Sequence, residues 1–416
     1  MTAAALWRGR STPFPEEGDP MAHELPFRFF DCDNHYYEAT DAFTRHIEPE
    51  YRKRTMQWVE MNGRTRLLVA EKVNKFIPKP TFDPVAAPGV MDEYFRGRNP
   101  KSADIGALMG ELEPIRPEYR DRDARLAVMD QQGMDACIML PTLGVGMEVA
   151  LAHDIPALAA AFRAFNRWLD EDWGFAYRNR IFSAPYITLA DPANAVRELE
   201  WALERDARFI VMIPGPVQTE AGMKAPADPV FDAFWRLAND SGITVLYHGG
   251  ETHYTKFLQE WGESSFTEAF RANAFRGLIS TDPMQDTIAS HLALGLFVRF
   301  PNLRVATIEI GSAWVFHLFE KLSKSYGQVP HLFPEDPRET FKRHVWVSPF
   351  YEDELRSLLQ LVGDERILMG SDWPHVEGLA DPASYIKDLE NFDYTPEQSE
   401  KVMRANGWDL ATRRPV

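Results

Sequence analysis

Cysteine is nearly missing from this chain, with two in 416 residues. Two thiols build no disulfide framework, and neither Cys32 nor Cys137 has zinc-knuckle spacing, so a reduced cytoplasmic protein is the expectation. Basic residues are also short, 45 Lys and Arg against 62 Asp and Glu, for a net charge of −17. Nucleic-acid binding rests on Lys and Arg neutralising phosphates, which argues against that class of partner. The acidic surplus reads as solvated surface, and a site built around a cation could still attract an anionic substrate. No apolar run reaches membrane-spanning length, and no Gly-rich dinucleotide fingerprint follows the first strand. The opening MTAAALWRGRSTPFPEEGDPM lacks the apolar stretch of a signal peptide and reads as a flexible leader over residues 1–26.

What is present is a rhythm. From about residue 27, short apolar runs alternate with amphipathic helical patterns: FRFFDCDNH, DACIMLP, IFSAPYITL, FIVMIP, ITVLYHG, LRVATIE, HVWVSPF and ERILMGSDWP. Near-continuous apolar strands between helices imply a parallel sheet covered on its outer side. Metal-type side chains end the first, fifth, sixth and eighth of these runs. Such groups meet across the mouth of a closed barrel, not along an open sheet. The expected fold is therefore α/β, a distorted (β/α)8 TIM barrel over residues 27–416, with a long Pro-, Gly- and charge-rich insertion at 49–120 over the mouth. Within that insertion, WVEMNGRTRLLV predicts a hairpin turning at Asn62-Gly63. YTPEQSEKVMRANGWDLA predicts a closing helix with a Thr N-cap.

Asp33 and His35 are spaced i, i+2, which puts them on one face of a strand, a face that Asp31 shares. An oxygen and an imidazole at a strand end make a half-site for Zn, Fe or Mn, although a capping Asp beside a hydrogen-bonded His fits the same pattern. His248 ends an unbroken apolar strand ahead of Gly249-Gly250, and a buried structural His is its competing reading. Asp372, in MGSDWPH, follows an apolar strand and precedes the chain break at Pro374; the alternative is a helix N-cap. Glu309 ends LRVATIE as a candidate general acid/base, substrate holder or ligand of a second metal. Glu251 and His253 would complete that second site. His291 and His317 sit on helical patterns where core positions outnumber catalytic ones, and His375 lies near enough to Asp372 to support it.

DCDNHYYE, GLFVRFPNLRVATIEIGSAWVFHLFEKL and ILMGSDWPH, in this order, resemble the amidohydrolase-related branch of the amidohydrolase superfamily, which includes aminocarboxymuconate-semialdehyde and γ-resorcylate decarboxylases. The resemblance runs from about Phe27 to Gly378. It implies the distorted barrel and a divalent metal, usually zinc and sometimes manganese or iron, held by Asp33, His35, His248 and Asp372. It also exposes a departure: the sixth-strand position, a catalytic histidine in the named decarboxylases, is Glu309 here. No fourth-strand lysine bridges two metals, so one metal is the default.

The leading expectation is a metal-dependent hydrolase of a small cyclic or aromatic carbonyl compound. A divalent ion lowers the pKa of water from ~15.7 toward ~7, with Asp372 taking the proton and Glu309 serving the leaving group. The alternative is non-oxidative decarboxylation of an aromatic or unsaturated acid, with Glu309 or His291 as the acid. A second alternative is a di-iron oxygenase using Glu251, His253 and Glu309. The expected partner is a small-molecule substrate, with neither nucleic acid nor membrane. Aromatics around Trp168 and Trp173 would suit a homodimer interface as readily as a core.

Overall fold

Eight chain segments share one pattern: a short apolar run whose alternate side chains face either the centre of the molecule or a covering helix. The computed structural model describes residues 25–77, 79–99, 103–262, 278 and 282–413; the leader expected at 1–26 falls almost wholly outside them. Its strands are β1 (Phe29–Tyr36), β2 (Met134–Pro141), β3 (Ile181–Ser183), β4 (Phe209–Met212), β5 (Thr244–His248), β6 (Arg304–Ile308) and β7 (Val345–Val347). β1, β2 and β3 pair in parallel, and so do β4 to β7 in sequence.

Two seams close the ring. On one side Tyr186 bridges Val211 in parallel; on the other, residues 367–373 bridge β7 at Ile367 and β1 at Trp373. Cys32 and His35 donate backbone N–H groups to Met369 O (2.9 Å) and Trp373 O (2.8 Å). The eighth stave is thus an irregular extended segment, and the closed ring is a distorted (β/α)8 barrel.

The covering helices start where the sequence places a capping acid. Asp121, Asp154, Asp191 and Asp282 each accept from the backbone N–H three residues on, a contact that stabilises a helix start by about 1 kcal/mol. The C-terminal helix begins at Pro396 behind a Thr395–Gln398 capping box. Trp168 and Trp173 are 1% and 0% exposed, so these rings are core and offer no dimer face. Among the described residues, no helix is long and apolar enough to cross a membrane.

In the insertion, Met56–Met61 and Arg64–Val69 form the antiparallel hairpin. Its two-residue turn needs positive φ at both positions, met by Asn62 (54°) and Gly63 (70°). Further along, Phe82 stacks on Tyr37 with ring centroids 4.7 Å apart. Arg120 pins this stretch to the barrel, donating to Tyr37 O (3.3 Å), Glu38 O (3.0 Å) and Thr81 O (2.7 Å). The Glu38 carboxylate in turn accepts from Leu143 N (2.9 Å) and Gly144 N (3.0 Å), just past β2.

Because Arg120 joins two chain segments through three carbonyls that accept from no other side chain among the described residues, Arg120→Met should cost roughly 2 kcal/mol. Limited proteolysis should then nick the 70–115 region sooner, with the far-UV spectrum unchanged.

Candidate metal centre

β1 carries a register shift between Asp31 and Asn34, and that bulge decides what its acidic residues do. Asp33 and His35 face the barrel mouth. Asp31 does not join them: its carboxylate accepts from Ser371 Oγ (2.5 Å), Ser371 N (3.0 Å) and Asn34 Nδ2 (2.8 Å). The extra residue breaks the two-residue alternation from which a shared face was expected. Asn34 Oδ1 receives Arg125 Nη1, and Arg125 also donates to His35 O (2.7 Å) and Glu118 O (2.7 Å). Its guanidinium lies 4.5 Å from the Trp373 ring centre. A buried cation thus sits directly beneath the strand end.

His35 Nε2 is the hub of the mouth. It lies 3.1 Å from Asp33 Oδ1, 3.4 Å from Glu309 Oε2, 3.4 Å from Asp372 Oδ1 and 3.4 Å from His248 Nε2. His248 Nε2 is 2.9 Å from Glu309 Oε2. The other nitrogen of His248 donates to Gly249 O at 2.6 Å, which leaves the Nε2 lone pair turned inward, the tautomer a metal needs. Two overlapping sets, Asp33–His35–His248–Glu309 and His35–Glu309–Asp372–His375, each bring their ligand atoms within 4.8 Å of one another.

The backbone bends to achieve this. Glu309 and Asp372 take positive φ, 52° and 55°, a conformation that costs non-glycine residues on the order of 1 kcal/mol. Gly249 is required beside them, since a Cβ there would fall 2.2 Å from Glu309 O.

Electrostatics follow from crowding. Burial opposes charge on His248, but Glu309 and Asp33 outweigh it and hold the imidazole up to about 10. His35 is raised by the same carboxylates against the same penalty. Glu309 is pulled well below the carboxylate range because His248 and His35 overcome its burial. Burial, then the Glu309 charge, pushes Asp372 well up, and the same two causes bring Glu377 to about 8. Thr142 Oγ1 donates to Tyr36 O (2.8 Å) and therefore accepts from His375 Nε2 (2.9 Å). That leaves His375 Nδ1 bare, 2.6 Å from Asp372 Oδ1: two acceptors that need a proton or a cation between them.

Two imidazoles and three carboxylates fit a divalent metal of the zinc, manganese or iron type. The buried Asp372 Oδ1, which no donor among the described residues satisfies, supports that fit.

Other expected residues lie elsewhere. His291 packs outside the barrel wall, its Nε2 3.0 Å from Tyr247 Oη and its ring against Trp235 and Phe297. Tyr247 points opposite to its neighbour His248, so His291 cannot reach the mouth; burial pushes it down to about 3. His317 is exposed. Glu251 and His253 belong to neither ligand set, because the backbone turns away after Gly250, held by Glu251 N donating to Val145 O (3.2 Å). The di-iron set is therefore not assembled among the described residues. Glu377 was missed; the signal was the DWPHVEG loop itself, whose Gly378 packs where a Cβ would be 2.5 Å from Asp372 O.

A cavity of about 240 Å³ opens on the cluster. Its floor holds His35, His248, Glu309, His375 and Glu377, and the insertion supplies an apolar wall that includes Phe76, Phe82, Val85, Met109 and Leu112. A smaller one of about 130 Å³ adjoins it and shares Glu309 and Glu377.

The family model described as amidohydrolase matches residues 31–407. An amidohydrolase from Mycobacterium avium subsp. paratuberculosis K-10 is 40% identical, covering 93% of this chain and 98% of that one, with a TM-score of 0.88. A manganese-bound 5-carboxyvanillate decarboxylase from Novosphingobium aromaticivorans is 15% identical over 94% of this chain and 98% of its own, with a TM-score of 0.58, a likeness of fold. The 2-amino-3-carboxymuconate-6-semialdehyde decarboxylase of Dictyostelium discoideum is 28% identical over 118 residues; that match spans 27% of this chain and 32% of the relative.

Two predictions come from the geometry. Gly249→Ala forces the ends of β5 and β6 apart and should cost about 1–3 kcal/mol, with weaker metal uptake in a chelator competition. The second concerns pH. Folding raises Asp31 to about 6, Glu38 to about 7, Glu377 to about 8 and His248 to about 10. A raised group stabilises fully below its unfolded pKa and loses that contribution as pH rises through the folded one. The depressed Glu309 acts in the opposite sense, but only below the ordinary carboxylate range. The Tm of chelator-treated protein should therefore fall from pH 6 to pH 9. Manganese or zinc, which displaces protons, should bind more tightly at the alkaline end and reverse the fall.

Proposed function

The chain belongs to the amidohydrolase family, a metal-dependent enzyme, and from that premise we propose that it decarboxylates a small aromatic or unsaturated acid without oxidation. The carrying observation is the cavity: a small apolar chamber that ends on a cluster of imidazoles and carboxylates. For scale, a cavity of about 150 Å³ takes a benzene molecule, so this one has room for a single substituted ring. The decarboxylases among the similar proteins support the same reading.

In this proposal Asp33, His35, His248 and Asp372 hold one divalent ion, manganese or zinc. When bound, the ion supplies Lewis-acid polarisation of substrate oxygen. The apolar wall strips water from the substrate carboxylate, which favours its departure as neutral CO2. The bond from ring carbon to carboxyl carbon breaks, its electron pair stays on the ring carbon, and that carbon takes a proton. Glu309 is assigned to proton handling: it lines both cavities and, at 24% side-chain exposure, is the most open member of the ligand sets. Glu377 faces the same chamber and holds a proton at neutral pH for Glu309 to draw on. His375, bonded to Thr142, orients Asp372.

Hydrolysis of a cyclic ester or amide is the second reading. The Asp372–His375 pair favours it, because it could take a proton from water at the same place.

The test is a manganese-loaded enzyme offered a panel of aromatic acids, with CO2 and ring product measured together, and a matching panel of lactones. Stoichiometric CO2 supports the proposal; turnover of lactones without CO2 from any acid would reverse the ranking. Asp372→Ala should lose both metal and turnover. Glu309→Gln should keep the metal while turnover falls ~10²–10⁴-fold, the usual contribution of a general acid/base. Full activity in Glu309→Gln would remove it from the chemistry.

A further inference from the structure

Among the described residues, the wall that the insertion contributes to the chamber is apolar except for Lys79, the only Lys or Arg among them that lines the cavity. The other charged groups of the lining, Glu309, Glu377 and the histidines, all belong to the floor. A ligand that fills the chamber with one end on the floor therefore presents its other end to a wall where Lys79 is the one charged side chain among the described residues.

Lys79 is also uncommitted. Several arginines of the insertion are held: Arg96 by Asp92 (2.7 Å) and Asp388 (3.0 Å), Arg116 by Glu113 (2.7 Å), Arg120 by three carbonyls. Lys79 has no hydrogen bond or ion pair among the described residues. Its backbone is nevertheless fixed. Lys79 O accepts from Phe82 N at 3.0 Å, closing a turn. Thr81 O is clamped by Arg120 at 2.7 Å, and the Phe82 ring stacks on Tyr37, two residues from His35. The lysine thus has a fixed backbone at the chamber wall and an ammonium with no partner among the described residues.

The protein as a whole is strongly anionic, at −17, and the Glu309 carboxylate of the floor faces the chamber. Against that field, an acid with a second anionic group would be repelled unless a local cation met it. We infer that Lys79 is a specificity residue that pairs with a second anionic group at the end of the substrate remote from the metal centre, so that the preferred substrate is a one-ring or similarly compact dianion. This rests on the proposed carboxylate-binding role of the chamber and narrows its substrate class.

The test is calorimetric binding of benzoate and of benzene-1,3-dicarboxylate to the manganese-loaded full chain at low ionic strength. Wild type should bind the dicarboxylate at least tenfold tighter than benzoate, and the preference should shrink with added salt. Lys79→Ala should bind benzoate unchanged and lose the preference, while Lys79→Arg should retain it. Equal binding of both acids by wild type, or a preference untouched in Lys79→Ala, overturns the inference and leaves the decarboxylase reading standing. Failure of the loaded wild type to bind either acid overturns both. Thermal unfolding of Lys79→Ala should match wild type, since an exposed lysine without partners contributes nothing to the fold.

Discussion

Everything at the barrel mouth is organised by the repulsion of buried carboxylates. Asp33, Glu309 and Asp372 reach the ends of different staves and converge on one imidazole nitrogen, His35 Nε2. Without a counter-charge such a cluster is unfavourable, because each carboxylate loses hydration and gains like-charged neighbours. The protein's own answer is partial. Neighbouring carboxylates push the two imidazoles toward their charged form, burial and the Glu309 charge push Asp372 toward its neutral form, and the shortfall is what a divalent cation would fill.

Holding such a cluster demands a foundation that does not rely on the metal. That foundation lies one layer down. The bulge in β1 turns Asp31 away from the mouth so that it clasps Ser371 on the irregular eighth stave, and Asn34 links this clasp to the buried Arg125. The one stave that is not a regular strand is thereby held by side chains where ladder hydrogen bonds are few. Burial pushes the Arg125 guanidinium down to about 10, yet it remains charged at neutral pH, offsetting some of the negative potential above it.

The barrel and the convergence of these side chains were legible because both rest on period: apolar runs of strand length, four of them ending in a residue type that metals bind. Asp33, His35, His248, Glu309 and Asp372 all announce themselves that way. What escaped depends on departures from period. A bulge shifts Asp31 by one residue, and no composition rule marks it. His291 sits on a helix whose polar contact, Tyr247, is visible only once β5 has been given an inside and an outside. Glu377 and Lys79 lie on loops, where direction is set by packing partners such as Gly378 and Arg120, distant in sequence or conformation from any motif.

The sixth-strand position, where the resemblance leads one to expect a histidine, holds Glu309 in this chain. A histidine there can carry a proton while remaining neutral overall once it has given it up. Glu309 is ionised by its two imidazole neighbours and returns a negative charge to an already anionic site. In the proposed role it must first receive a proton to deliver one, and Glu377, lining the same chamber and pushed up to about 8 by burial and by Glu309 itself, is the proposed local source. Transfer between them runs against the field of the two imidazoles that keep Glu309 ionised, but it leaves the net charge of the site unchanged. Two carboxylates can thus do what one imidazole does elsewhere, provided the apolar wall keeps bulk water from short-circuiting the exchange. The insertion, which supplies that wall, is therefore as much a part of the proposed chemistry as the strand ends are.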